Sequence, residues 1–370
     1  MSIYQPLRSL RIAFLDSWIP DVAEGSGTAA GIGGLQRALR TRGHTVARLA
    51  PPTPWPRTLT LRRLLFNLQL PALLRTLRYD LIVGFDIDGC FWARHHGDTP
   101  YLVSIKGVAA EEMQHERGRT RLLFEALAHL EGANARHADA VLATSAYCRA
   151  AIARHYGVPE QQVRLVPEGI DLARWQRIIE AEPQMSDGAT ILCVARQYPR
   201  KRIADLLRAL PIVRRAVPRA HALIVGDGPE HARLRRLAEE LNLGPAVRFL
   251  GSVPDDDQVA RFYRRADVFC LPSVQEGFGI VFLEAMASGL PIVATRAAAI
   301  PEVVPHCHAG LLVPPGDVTA LADALVTLLQ NPEQRAAYGA FGREHVRQYD
   351  WDRVAATFLA QVHPFLRQDA

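Results

Sequence analysis

Glu276-Gly-Phe-Gly-Ile-Val-Phe-Leu-Glu284 is the stretch on which the reading of this chain turns. Two carboxylates stand eight positions apart, and a Gly-Phe-Gly turn between them runs directly into an apolar helical segment that ends at Gly289. Glycines let backbone N–H groups come close to a ligand. A helix that starts just after such a turn offers unpaired N–H groups and the positive end of its dipole to an anion such as a diphosphate. Glu276 in the turn can accept hydrogen bonds from sugar hydroxyls, and Glu284, about two helical turns on, can hold a ribose diol. The spacing alone also fits a loop glutamate followed by a helix-surface glutamate. The context separates the two readings. Strand-like Asp267-Val-Phe-Cys-Leu-Pro-Ser273 precedes the motif and Pro291-Ile-Val-Ala-Thr295 follows it, so the turn falls at the carboxyl end of a parallel strand, where open α/β sheets bind ligands.

Outward from this motif, strand-like and helical segments alternate along the whole chain, which predicts α/β architecture with parallel sheets. In the first half the strands are read at residues 11–15, 45–49, 80–84, 101–105, 140–143 and 163–166. In the second half they are read at 190–194, 222–225, 247–250, 267–273, 291–295 and 310–313. A chain of 370 residues is long for one domain. The breaker-rich stretch within 170–188 divides it into an amino-terminal domain over 1–170, joined by a terminal helix from 350–370, and a second domain over 171–349. Hydrophobic content of 49% and charged content of 22% describe a globular protein with ample core. No run approaches the length of a membrane span, and the start has no signal-peptide pattern. The expected location is cytoplasmic, with peripheral contact at the inner face of a membrane. The five cysteines are scattered without metal-like or redox spacing and read as reduced, structural thiols.

The net charge of +5 is unevenly placed: residues 1–170 hold 20 basic and 15 acidic side chains, and residues 171–370 hold 23 of each. An anionic acceptor or an anionic membrane surface fits this excess. Nucleic acid does not, because no aromatic-basic interleaving or reader motif is present. The segment from Arg57 to Arg78 interleaves apolar residues with five arginines and is the expected membrane contact, although helices packed on the first sheet with arginines outward give the same pattern. Of 43 basic residues only Lys106 and Lys201 are lysines. An ammonium is a compact point charge that arginine does not copy.

Further candidate sites lie in both halves. Glu24-Gly-Ser-Gly-Thr28 follows the first strand and reads as a small-residue loop that admits a diphosphate, or as an ordinary strand-to-helix turn. Arg196 and Lys201 follow a strand of the second half and can neutralise a diphosphate leaving group, or belong with Arg200 and Arg202 to a solvated basic loop. Gly226-Asp-Gly-Pro-Glu230 reads as a tight turn. Asp86-Ile-Asp88 and Asp255-Asp-Asp257 have the D-x-D form of a metal site, but the second reads as a helix N-cap. No metal site is expected.

Val194-Ala-Arg-Gln-Tyr-Pro-Arg-Lys201, Ile224-Val-Gly-Asp-Gly-Pro-Glu230, Leu271-Pro-Ser-Val-Gln-Glu-Gly-Phe-Gly279, Glu284-Ala-Met-Ala-Ser-Gly289, Ile300-Pro-Glu302 and Leu312-Val-Pro-Pro-Gly-Asp317 stand in that order. Together they resemble the family-four, or group 1, retaining glycosyltransferases, over nearly all of residues 190–350 and more loosely over the first half. The resemblance implies the B-type glycosyltransferase fold: α/β, two Rossmann-like domains facing each other across a cleft, with the carboxyl-terminal helix crossing back to the first. It implies metal-independent transfer of a sugar from a UDP- or GDP-linked donor to a lipid, glycan or small-molecule acceptor, without a cofactor. Carried over by position, Arg196 and Lys201 bind the donor diphosphate and Glu276 the sugar. Gly277, Phe278, Gly279 and Ile280 lie beside them, Glu284 takes the ribose, and Gly27 is the first-domain residue that approaches the donor. The chain departs from the family's pattern in two places: Glu168 stands where Asn is usual, and Lys106 stands where a His that serves the acceptor side is usual. Lys106, with Glu111 and Glu112 near in sequence as ion-pair partners, is therefore a candidate catalytic residue. The rival readings are a sugar-nucleotide epimerase on the same fold and a nucleotide-sugar-binding protein without activity.

Overall fold

The structure is a computed structural model, and it describes residues 9–18, 22–51, 59–181, 188–253 and 255–366. Two compact units divide the chain, residues 1–169 with 351–370 and residues 170–350. The expected linker residues 183–187, and Arg57 of the basic segment, lie outside the described residues.

The first unit is built on strands β1 (Arg11–Leu15), β2 (Thr45–Leu49), β3 (Leu81–Phe85), β4 (Tyr101–Ile105), β5 (Ala140–Ala143) and β6 (Val163–Leu165), all parallel, in the order β2-β1-β3-β4-β5-β6. Every residue of β3 and β4 is buried, as expected for a parallel sheet covered on both faces. Its helices are α1 (Val22–Thr41), α2 (Leu59–Leu74), α3 (Ala109–Glu112), α4 (Gly118–His137) and α5 (Ala146–Tyr156). Helix α1 ends in a Schellman turn at Gly43 (φ +89°), with the His44 N–H donating to the Leu39 carbonyl at 3.1 Å.

The second unit holds β7 (Thr190–Val194), β8 (His221–Val225), β9 (Val247–Gly251), β10 (Val268–Leu271), β11 (Ile292–Thr295) and β12 (Gly310–Val313), in the order β12-β11-β10-β7-β8-β9. Its helices are α6 (Leu172–Ala181), α7 (Ile203–Ala216), α8 (His231–Glu240), α9 (Asp256–Arg265), α10 (Ile280–Ala287), α11 (Ile300–Val303), α12 (Val318–Gln330) and α13 (Pro332–His345). The chain then returns to the first unit with α14 (Trp351–Val362). Val354, Phe358 and Val362 of α14 share a core with Ile32, Leu35 and Leu39 of α1. The close seat needs glycines, because a Cβ at Gly34 would lie 2.1 Å, and one at Gly169 2.6 Å, from the Trp351 ring.

Each sheet reverses its direction of growth once. In the first this happens between β1 and β3, in the second between β7 and β10. At such a reversal the connections leave on opposite faces and open a crevice at the carboxyl ends of the strands.

Candidate functional site

The reversal of the second sheet brings together the loops that carry the expected donor residues. Lys201 closes a short 3-10 turn (Pro199–Lys201) after β7, and Glu276 follows β10. Their side chains meet: Lys201 Nζ donates to Glu276 Oε1 at 2.6 Å and Oε2 at 2.8 Å, with side-chain exposures of 14% and 9%. The loops are stitched to each other as well. The Val274 N–H donates to the Arg200 carbonyl at 2.9 Å, and the Ser273 hydroxyl donates to carbonyls of Arg200 and Gln275.

Arg196 lies one loop residue beyond Ala195, half-buried, with its guanidinium carbon 5.9 Å from the Tyr198 ring centre. Gln197 beside it is buried and donates from Nε2 to the Gly226 carbonyl at 2.7 Å. The glycine turn after β8 is pressed onto this loop: a Cβ at Gly226 would lie 2.1 Å from the Ala195 carbonyl oxygen, and one at Gly228 2.8 Å from the Gln197 nitrogen. The turn's role is to permit this contact.

Gly279, at φ +93°, turns the chain into α10, and a Cβ there would lie 2.6 Å from the Phe282 ring. The side chain of Phe278 does not face a ligand: it is buried in the core with its ring 5.4 Å from Tyr349, so only its backbone can serve. Ile280 is the first residue of α10. Glu284, on the second turn of that helix, accepts a 2.7 Å hydrogen bond from the Tyr263 hydroxyl. Burial, and then the Glu284 charge, push the Tyr263 hydroxyl well above its ordinary pKa, so it stays a donor. Sequence reasoning missed Tyr263 because it lies in α9, an element with no motif of its own.

In the first unit the outcome is different. Gly27 lies inside α1, which starts at Val22, and not in a strand-to-helix loop. That expectation is corrected: the small residues there belong to a helix. The reversal point between β1 and β3 is filled by the chain's own polar groups. Asp88 accepts from the Ser17 N–H at 2.8 Å and from Asn67 at 3.0 Å. Asp86 accepts from Trp18 Nε1 and the Lys106 N–H, each at 3.0 Å. The buried Arg63 guanidinium lies 3.9 Å from Asp86 and 4.0 Å from Asp88. Burial raises the pKa of Asp16 to about 6, against the Arg48 charge that lowers it, and burial likewise raises Asp86 and Asp88. Among the described residues no group of three or more His, Cys, Asp and Glu side chains is arranged to hold a metal ion. Asp255 caps α9 by accepting from the Asp257 N–H.

Lys106, after β4, has its ammonium 2.7 Å from Glu168 Oε1. Of the two partners expected from sequence proximity, Glu111 is engaged instead by Arg154, His155 and the Tyr147 hydroxyl.

The sequence profile described as glycosyltransferase family 4 matches residues 26–174, and that described as glycosyl transferases group 1 matches residues 176–345. The chain belongs to the group 1 glycosyltransferases. It is 36% identical over 245 residues to a GDP-mannose-dependent alpha-(1-6)-phosphatidylinositol monomannoside mannosyltransferase of Mycobacterium tuberculosis, over 62% of each chain. It is 42% identical over 200 residues to a phosphatidyl-myo-inositol mannosyltransferase of Mycobacterium leprae, over 52% of this chain and 51% of the other. The chain thus spans less than two thirds of the length of these curated relatives. Among solved structures it resembles a sucrose-phosphate synthase from Thermosynechococcus elongatus, with a TM-score of 0.77 and 26% identity over 95% of this chain and 98% of the other. The fold is that of the B-type glycosyltransferases, with two Rossmann-like domains.

Proposed function

We propose that this group 1 glycosyltransferase moves a sugar from a nucleoside diphosphate sugar to a lipid or glycan acceptor, with retention of configuration and without a metal ion. The reading is carried by the Lys201–Glu276 pair at the reversal point of the second sheet. As the bond to the diphosphate breaks, the sugar becomes oxocarbenium-like and negative charge gathers on the leaving group. Arg196, Lys201 and the amino-terminal N–H groups of α10 offset that charge. Glu276, fixed by Lys201, takes sugar hydroxyls, and Glu284, fixed by Tyr263, takes the ribose. With both carboxylate oxygens on an ammonium, Glu276 is a poor nucleophile. The reaction therefore runs by front-face attack of the acceptor and not through a covalent glycosyl-enzyme.

GDP-mannose is the first donor to test, and phosphatidylinositol or its monomannoside the first acceptor, both from the names of the mycobacterial relatives. A peripheral membrane role is supported by the first unit. Among the described residues six of the seven exposed large apolar side chains, Leu61, Leu68, Leu73, Phe91, Leu122 and Leu123, belong to it. They fall in segments 59–78, 91–97 and 117–124, which hold arginines and no acidic residue. Exposed apolar side chains with arginines close by suit an anionic bilayer. No described helix is long and apolar enough to cross a membrane.

The test is incubation with GDP-mannose or UDP-glucose, with and without vesicles containing phosphatidylinositol, followed by mass spectrometry of lipid and nucleotide. A hexose added to lipid supports the reading. A changed free sugar made without vesicles indicates an epimerase, and donor binding without turnover indicates a binding protein.

A further inference from the structure

Lys106 and Glu168 lie 62 positions apart, after β4 and after β6, and the fold brings their charged ends to 2.7 Å with side-chain exposures of only 7% and 5%. Both flanks of this pair are fixed. The Lys106 N–H donates to Asp86 Oδ1 at 3.0 Å, and the ammonium sits 5.7 Å from the Phe85 ring centre. The second oxygen of Glu168 is buried with no hydrogen-bond partner among the described residues and is pressed against α1 at Gly31, where a Cβ would lie 2.4 Å from it. A buried ion pair with an unsatisfied oxygen is a costly way to fill space, and apolar residues of similar volume often serve stability as well or better. Lysine is also rare here: the other of the chain's two lysines is Lys201. Stability alone is therefore a weak explanation for this pair at the carboxyl edge of the sheet.

We infer that Glu168 is a positioning residue for Lys106. It holds the ammonium aimed from the carboxyl edge of the first sheet, where Lys106 donates to an oxygen of the sugar acceptor. An ammonium carries three N–H donors, and one of them is spent on Glu168. The inference rests on the transfer reaction proposed above.

A four-protein cycle tests it: wild type, Lys106→Met, Glu168→Gln, and the double variant. Each is measured by urea unfolding and by steady-state transfer from GDP-mannose to phosphatidylinositol vesicles. Either single change strands a buried charge or polar group and should lower the unfolding midpoint, while the double variant should recover most of it. Turnover should not follow. Both single variants should lose about tenfold or more in kcat, and the double variant should remain as slow as Lys106→Met, with the KM for donor unchanged throughout. Glu168→Asp keeps the charge but shortens the reach, and should retain more stability than rate.

If the double variant regains wild-type kcat together with its stability, the pair is only structural and the inference is overturned. Wild-type stability and rate in Glu168→Gln would overturn it as well. If the wild type binds GDP-mannose yet no protein in the cycle transfers to any vesicle, the failure lies in the proposed reaction, and the unfolding data still report whether the pair exists.

Discussion

The chain's two lysines make the same kind of contact in two different settings. Lys201 grips both oxygens of Glu276, at 2.6 and 2.8 Å, where the second sheet reverses between β7 and β10. Lys106 touches one oxygen of Glu168 and stands beyond the reversal of its sheet, just after β4. The first sheet's reversal point is closed by Asp86, Asp88, Arg63, Ser17 and Asn67 bonded to one another. The second sheet keeps cations, glycines and a helix N-terminus at the corresponding place. One topology thus carries two arrangements: a Lys–Glu pair beside glycines and a helix N-terminus at one reversal, and a plug of buried, mutually bonded polar groups at the other.

The sharpest way to break this contrast is Lys201→Ala. Removing the ammonium takes charge from the leaving group and strands Glu276. A fall in kcat/KM of about 10²–10³ is expected, as for loss of one oxyanion donor, and steady-state kinetics checks it. Arg196→Ala should follow in the same direction.

The plugged crevice predicts a pH effect of its own. Asp16 is buried and its pKa is raised from 3.8 to about 6. A raised carboxyl stabilises the fold below its ordinary pKa and loses that contribution as pH climbs through the folded value. The unfolding free energy of Asp16→Asn relative to wild type should therefore grow between about pH 4 and pH 7, by at most roughly 3 kcal/mol. Urea melts across that range measure it, and a constant difference would show that Asp16 ionises as freely as in water.

Next in size is the ribose side. Glu284→Ala should weaken donor binding by roughly 1.5–3 kcal/mol, the range for a hydrogen bond to a charged group. Tyr263→Phe should cost about 1 kcal/mol, because it removes only the hydroxyl that orients that carboxylate. Calorimetric titration with GDP-mannose resolves both. The smallest expected effect is none: excess EDTA should leave turnover unchanged, and loss of activity restored by manganese or magnesium would contradict metal-free leaving-group stabilisation.

The strands were readable because parallel strands buried on both faces are short apolar runs. Those from Arg11, Thr45, Tyr101, Ala140, Thr190 and Gly310 hold to the residue, and the others shift by one or more at an end, as at Leu81–Phe85. The loops that carry Arg196, Lys201 and Glu276 were readable because their motifs are local in sequence. Gly27 was misread for a physical reason. Small residues normally mark a loop, but α1 carries them along its length, and at Gly31 and Gly34 they let Glu168 and Trp351 approach. Packing overrode propensity. Helix α13 escaped notice in the same way, since Gly339 meets the Gly289 carbonyl and Gly342 meets Met286. The Lys106–Glu168 pair could not be read at all, because only the register of β4, β5 and β6 brings those positions together.

The central claim is that the two lysines divide the work, Lys201 on the donor and Lys106 on the acceptor. Calorimetric titration of GDP-mannose into Lys201→Met and into Lys106→Met, each checked for folding by circular dichroism, tests it most directly. The account predicts donor affinity reduced at least tenfold in the first variant and unchanged in the second. Equal affinity in both, or a loss confined to Lys106→Met, would contradict it.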